Sequence, residues 1–192
     1  FTHYVFENPW PLGILLLAVA GIVGYLGMRE GLRSRTRAAM VCGLLGIAVI
    51  AAGMFVTTAG EQGERVVTAL VDAAVNEDLV GGLALFSDDA IMNAGSPQNP
   101  GFGYEFIQAR FARLGERYDI ESNSITSLRG YSVERDDAEV HLACHTTVAG
   151  LPYPAVSRWI VRVQREADGQ WKVTRLTCVS INNQTVPVDQ TW

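Results

Sequence analysis

The chain has 192 residues, 48% hydrophobic and 18% charged, with a formal net charge of −5, which is oily for a small soluble domain. The first sixty residues hold four of the 15 basic groups and two of the 20 acidic ones, so the remainder carries eleven against eighteen, a net −7. That balance argues against a nucleic-acid partner, because phosphate binding needs clustered Lys and Arg.

Two apolar runs come first. Residues 11–28, PLGILLLAVAGIVGYLGM, and 38–60, AAMVCGLLGIAVIAAGMFVTTAG, contain no charged side chain. At about 1.5 Å per residue each is long enough to cross a hydrocarbon core of about 30 Å. Pro11 suits a first helical turn, where its missing N–H costs nothing, and Tyr4 and Trp10 suit a headgroup layer. The link between the runs, REGLRSRTR (29–37), sets four arginines against one glutamate, which predicts a cytoplasmic loop and places both termini outside. The leader of the first run carries Glu7 and no basic residue, so a cleaved signal peptide is not expected there. Small residues four apart (Ala20 and Gly24, Ala39 and Gly43, Ala48 and Ala52) suit a close antiparallel pair. The expected division is 1–60, a transmembrane hairpin, and 61–192, an extracytoplasmic domain.

In the second part, Val67, Leu70, Val71 and Ala74 recur at helical spacing within 61–76. Asn76 is the expected cap of a shorter helix, EDLVGGLALF, buried through Leu79, Leu83 and Phe86. Gly81 and Gly82 weaken that helix by about 1 kcal/mol each relative to Ala. A short strand is expected at 90–92, which leaves Asp88 and Asp89 in a turn. A turn-rich loop, NAGSPQNPG (93–101), leads to a third helix over 102–117, with Tyr104, Ile107, Phe111 and Leu114 on one side. The period then falls to two, giving strands at 122–131, 138–148, 155–166 and 171–181 joined by hairpin turns. The fold class read from this order is α+β: three helices on one curved, mostly antiparallel sheet.

This order, with ALFSDDAIM (84–92) closing the short helix and DGQWKVTRL (168–176) near the end, resembles the nuclear-transport-factor-2-like superfamily over about 61–182. That superfamily includes ketosteroid-isomerase-like and polyketide-cyclase-like (SnoaL-like) groups. ENPWP (7–11) ahead of two spans also resembles uncharacterised bacterial membrane proteins that carry such a domain outside the inner membrane. The resemblance implies a cone: a bent sheet wraps a helix around a cavity open at one end. In ketosteroid-isomerase-like relatives a catalytic aspartate follows the first aspartate of the SDDA piece by six residues. Here that position is Ala94. The expected oxyanion tyrosine of the first helix falls near Leu70. Both roles are missing, so Asp88 and Asp89 read as structural.

Other candidates weigh less. His141 and His145 lie four apart on a strand, about 13 Å, too far for one metal ion. They share the face opposite Leu142 and Cys144. Cys144 and Cys178 are expected two strands apart, about 9.5 Å, beyond disulfide reach. Arg158, Arg162, Lys172 and Arg175 suit a solvated face, a dimer interface or an anion site, and Trp159 and Trp171 suit a core. No phosphate loop, Ser-His-Asp order or CxxC pair is present.

The expectation is therefore a membrane-anchored binding or assembly domain, an accessory subunit of a larger complex, with no metal or cofactor. Its expected ligand-contacting residues are Asn93, Tyr104, His145 and Trp159 inside the cone. The implied partners are the bilayer, a second copy or a larger membrane complex, and a small apolar ligand. The rival is an enzyme of the polyketide-cyclase or isomerase type working through Asn93, Tyr104 or His145.

Overall fold

The computed structural model describes residues 10–55, 57–113 and 119–187. Tyr4, Glu7, Leu114 and Arg117 lie outside the described residues. The chain divides into two compact units, 1–58 and 59–192.

The first unit is a helical hairpin. α1 runs Trp10–Glu30 and α2 runs Arg33–Phe55. The arginine-rich link is not a loop. Only Gly31 and Leu32 separate the helices, and Arg33, Arg35 and Arg37 lie in the first turns of α2. Gly31 makes this tight link feasible. At φ +68 it takes the left-handed conformation, Leu32 N–H bonds Gly27 C=O at 3.0 Å and Gly31 N–H bonds Met28 C=O at 3.4 Å. This is the pairing by which a glycine closes a helix end. Small residues then let the helices meet. A Cβ on Gly24 would sit 3.4 Å from Ala39 Cβ and one on Gly43 3.7 Å from Ala20 Cβ, while one on Gly13 would overlap Ile50 at 2.3 Å. Leu15, Ile22, Leu44, Ile47 and other large apolar side chains remain exposed. Both helices are long and apolar enough to cross a membrane.

The second unit begins with α3, Ala59–Val75, two residues earlier than the sequence suggests. Asn76 ends this helix instead of capping the next. Its Nδ2 donates to Asp72 C=O at 2.8 Å, Glu77 adopts φ +54, and Asp78 N–H bonds Ala73 C=O at 2.9 Å. The cap of α4, Leu79–Ala84, is Asp78, whose carboxylate accepts from Gly81 N–H at 2.9 Å. Leu79 is exposed and Phe86 belongs to the next strand, so the buried edge of α4 is shorter than expected. Both of its glycines have work to do. A Cβ at Gly81 would strike the Asp78 carboxylate at 2.1 Å, and one at Gly82 the Phe111 ring at 2.5 Å.

β1 spans Phe86–Ala94, and α5 spans Tyr104–Ala112 behind a Gly103 cap. Four strands follow: β2 Ile120–Glu134, β3 Asp137–Val148, β4 Ala155–Arg165 and β5 Trp171–Ile181. A two-residue β6, Gln184–Thr185, pairs with β5. The order is β1-β5-β4-β3-β2. β2 through β5 form an antiparallel meander, and β1 joins β5 in parallel at the edge. The expected turn at Asp88 and Asp89 is a strand with a fault in it. Phe86 pairs with Val173 and Ile91 with Arg175, so five steps on β1 oppose two on β5. Extra residues of this kind leave the ladder at sheet edges, and both aspartates are exposed, with Ser87 Oγ donating to Asp89 Oδ1 at 2.6 Å.

The core lies between α3 and the inner face of the sheet. Val67 and Leu70 pack with Phe86, Ile107, Val140, Leu142, Val161, Val163 and Val173. Two glycines set how closely α3 lies on β2: a Cβ at Gly130 would sit 2.1 Å from Gly60 O. Gly130 N–H donates to Glu64 Oε1 at 2.6 Å and Gly60 N–H to Ser132 Oγ at 3.0 Å, so the contact satisfies backbone donors of both elements.

Candidate functional site

Side chains alternate across a strand, and the registers fix which reach the inner face. Leu142 opposes Trp159, Cys144 opposes Ser157, Val161 opposes Leu176, and Met92 opposes Leu176 across the parallel pair. These rows and α3 enclose a cavity of about 260 Å³. One part of its wall is apolar: Val67, Leu70, Phe86, Met92, Val161 and Leu176. Near the start of β2 and β4 and the end of β3 the wall turns polar through Asn123, Thr146 and Ser157, with Cys144 beside them. Thr146 Oγ1 donates to Asn123 Oδ1 at 2.9 Å, joining β2 to β3 at the wall. Burial pushes the Cys144 thiol up, a hydrogen bond with Asn123 pulling the other way.

α5 contributes Ile107, Phe111 and Arg110 to the same wall. The Arg110 guanidinium lies 4.8 Å over the Phe106 ring, and Phe106 stacks on Phe102 with centroids 4.4 Å apart. Among the described residues the wall carries one formal charge, Arg110, and one other titratable group, Cys144. It has no carboxylate, imidazole or phenol. No cluster of three or more metal-ligating side chains occurs among the described residues.

Of the four residues expected in the cone, Trp159 is in the wall. The other three are elsewhere. His145 is exposed on the outer face, as strand alternation requires once Cys144 points inward. Tyr104 is half-buried and packs against the core. Asn93 is buried beneath the turn-rich loop. Its Nδ2 donates to the carbonyls of Asn99 (2.9 Å), Ser96 (3.3 Å) and Pro97 (3.3 Å), while Asn99 Nδ2 returns to Ala94 C=O at 2.7 Å. Leu70 lines the cavity and Ala94 is buried with Cys178 and Val186 beside Trp159. Neither offers a proton or an oxyanion donor. His141 Nε2 lies 2.8 Å from Glu139 Oε1 on the outer face.

The strand-borne cations mostly have partners. Arg162 Nε and Nη2 clamp the Asp137 carboxylate at 3.0 and 2.5 Å, and this hydrogen bonding raises the Arg162 pKa. Lys172 lies 3.6 Å from Glu166, and Arg175 Nη1 donates to Pro97 C=O at 2.9 Å, pinning the loop. Cys144 and Cys178 are free thiols on β3 and β5, with β4 between them. Sequence reading missed Arg110, Asn123, Thr146 and Ser157. Two of these, Thr146 and Ser157, were accessible to it: the inner series Leu142, Cys144, Thr146 and Val161, Trp159, Ser157 both run from apolar to polar toward one end.

No protein-family model and no curated protein sequence matches the chain. Solved structures do. A nuclear-transport-factor-2-like protein of unknown function from Pseudomonas putida is similar at TM-score 0.54 and 18% identity, over 69% of this chain and 96% of that one. A structure from Shewanella frigidimarina, provisionally named a ketosteroid isomerase, is similar at TM-score 0.51 and 11% identity, over 63% and 94%. Another from Novosphingobium aromaticivorans, provisionally named a scytalone dehydratase, gives TM-score 0.50 and 16% identity, over 65% and 87%. At these identities the likeness is one of architecture. The unit that begins at Ala59, three helices on a curved mixed sheet around an inner cavity, has the nuclear-transport-factor-2-like fold.

Proposed function

We propose that the second unit binds a small, mostly apolar molecule in its cone and that the helical hairpin holds this unit at a membrane. The chemistry of the wall carries the first half. General acid–base catalysis needs a group that titrates near working pH within hydrogen-bond reach of the substrate. Among the described residues the wall offers a guanidinium, a thiol whose ionisation burial opposes, and neutral amide and hydroxyl groups. An apolar pocket with a few convergent polar groups is the usual form of a small-molecule site. The full chain, purified from native membranes in mild detergent and extracted for mass spectrometry, should release a small apolar molecule near one per chain. Leu70→Trp, which fills the cavity, should lose it while its thermal unfolding stays cooperative. Equal recovery from both chains refutes the reading.

A catalytic reading has one support: fold neighbours bear the provisional names ketosteroid isomerase and scytalone dehydratase. In that reading Arg110, Asn123, Thr146 and Ser157 would polarise a carbonyl or hydroxyl held in the cone. Turnover of a β,γ-unsaturated ketone by the purified full chain, well above buffer, favours it.

The membrane half is supported by the length and composition of α1 and α2 and by their exposed apolar side chains. The arginines 29, 33, 35 and 37 at the linked end support a cytoplasmic placement of that end, with the second unit on the exterior side of a bacterial inner membrane. Association with a second copy or a larger membrane complex belongs to the same proposal, and the mass of the detergent-solubilised particle, with protein mass spectrometry of what co-purifies, reads it.

A further inference from the structure

We infer that the cone takes an amphipathic acid, a molecule with one carboxylate and a compact apolar body, and that Arg110 engages the carboxylate. This rests on the binding reading above and names its ligand class. Size comes first. The cavity of about 260 Å³ is less than twice the roughly 150 Å³ that holds benzene in an engineered apolar site. It suits one or two rings, or a chain of roughly ten carbons.

Charge comes second. Arg110 is the single formal charge in the described wall. Three other cations of this unit have carboxylates: Arg162 has Asp137, Arg165 has Asp136 and Lys172 has Glu166, and none of the remaining described arginines of the unit lines the cavity. Arg110 has none among the described residues, although acidic groups outnumber basic ones eighteen to eleven beyond residue 60. A guanidinium cannot shed its charge when a ligand takes away water, so an occupant with a neutral head leaves it uncompensated. A carboxylate instead accepts two parallel N–H bonds from it.

Geometry comes third. Phe102, Phe106 and Arg110 lie at four-residue spacing and stack in sequence. The stack holds the guanidinium plane before any ligand arrives, so little rotamer freedom is lost on binding. The apolar wall built by Leu70, Met92, Val161 and Leu176 receives the body of the molecule.

The test uses the full chain in lipid nanodiscs, with empty discs as the partition control. The probes are 1-naphthoate and its neutral methyl ester, which share an apolar body and differ in charge. The acid should bind about tenfold or more tightly than the ester, as expected for one charge-assisted bidentate contact. Arg110→Gln should erase that preference by weakening the acid about tenfold more than the ester, Arg110→Lys should restore part of it, and Leu70→Trp should weaken both probes. Equal affinities for acid and ester, both lost in Leu70→Trp, overturn acid recognition and leave the binding reading standing. An acid preference that survives Arg110→Gln overturns the assignment to Arg110. Binding of neither probe overturns the binding reading and this inference with it.

Discussion

Burial pushes the Cys178 thiol up to about 12 from an ordinary 9.0. In an unfolded chain this thiol ionises from about pH 9, whereas in the folded chain it stays neutral for nearly three further units. Between those values the unfolded state binds fewer protons, so stability falls as pH rises, by up to about 1.4 kcal/mol per pH unit from this group. Below pH 9 its contribution is complete and flat. Cys178→Ala should therefore lose less stability than the natural chain between pH 8 and 11, measured by denaturant unfolding at each pH. Parallel curves would show that the thiol is not buried as described. Arg110 lies at the same scale and was illegible in the sequence. On a helical wheel it falls off the apolar side of its helix, yet it lines the cavity while its guanidinium lies over the Phe106 ring. Asn93 misled in the opposite direction: a polar residue beside a strand reads as a ligand contact, but three loop carbonyls claim its amide.

β2 to β5 were legible to within about three residues because strict alternation marks a sheet with one buried face, and hairpin turns punctuate it. β1 was read as three residues and is nine. The aspartates that break its apolar pattern sit in a bulge, which sequence alternation alone does not distinguish from a turn. The packing of α3 on β2 was likewise unreadable, since nothing in a lone glycine says which distant glycine it meets. Gly130→Ala tests that packing. Its Cβ would overlap Gly60 O at 2.1 Å, and backbone on both sides must give way. The expected cost is about 1–3 kcal/mol, the range for overpacking, with α3 lifted and the Glu64 and Ser132 bonds strained. Chemical denaturation of the full chain in mild detergent measures it. A change within about 0.5 kcal/mol would mean that helix and strand do not meet this closely.

For the molecule as a whole, composition revealed two parts, and the fold of the second followed from the order of its elements. Under the proposed orientation, protease added to intact spheroplasts should digest the second unit and spare the hairpin. A protected second unit reverses the orientation. One feature of the sheet also sets a schedule for how this chain comes into being. Met92 pairs with Leu176, more than eighty positions later. As synthesis proceeds from the N-terminus, β1 emerges early and waits for a partner that is nearly the last strand made. Until then one wall of the cone is missing, Phe86 and Met92 have no sheet beside them, and a closure this distant is slow to find. A chain that ended before residue 171 would hold a three-stranded meander, β2 to β4, with an open apolar trough. The unit therefore gains its cavity in one late step, and a chain cut short there presents adhesive surface where the finished protein encloses a pocket.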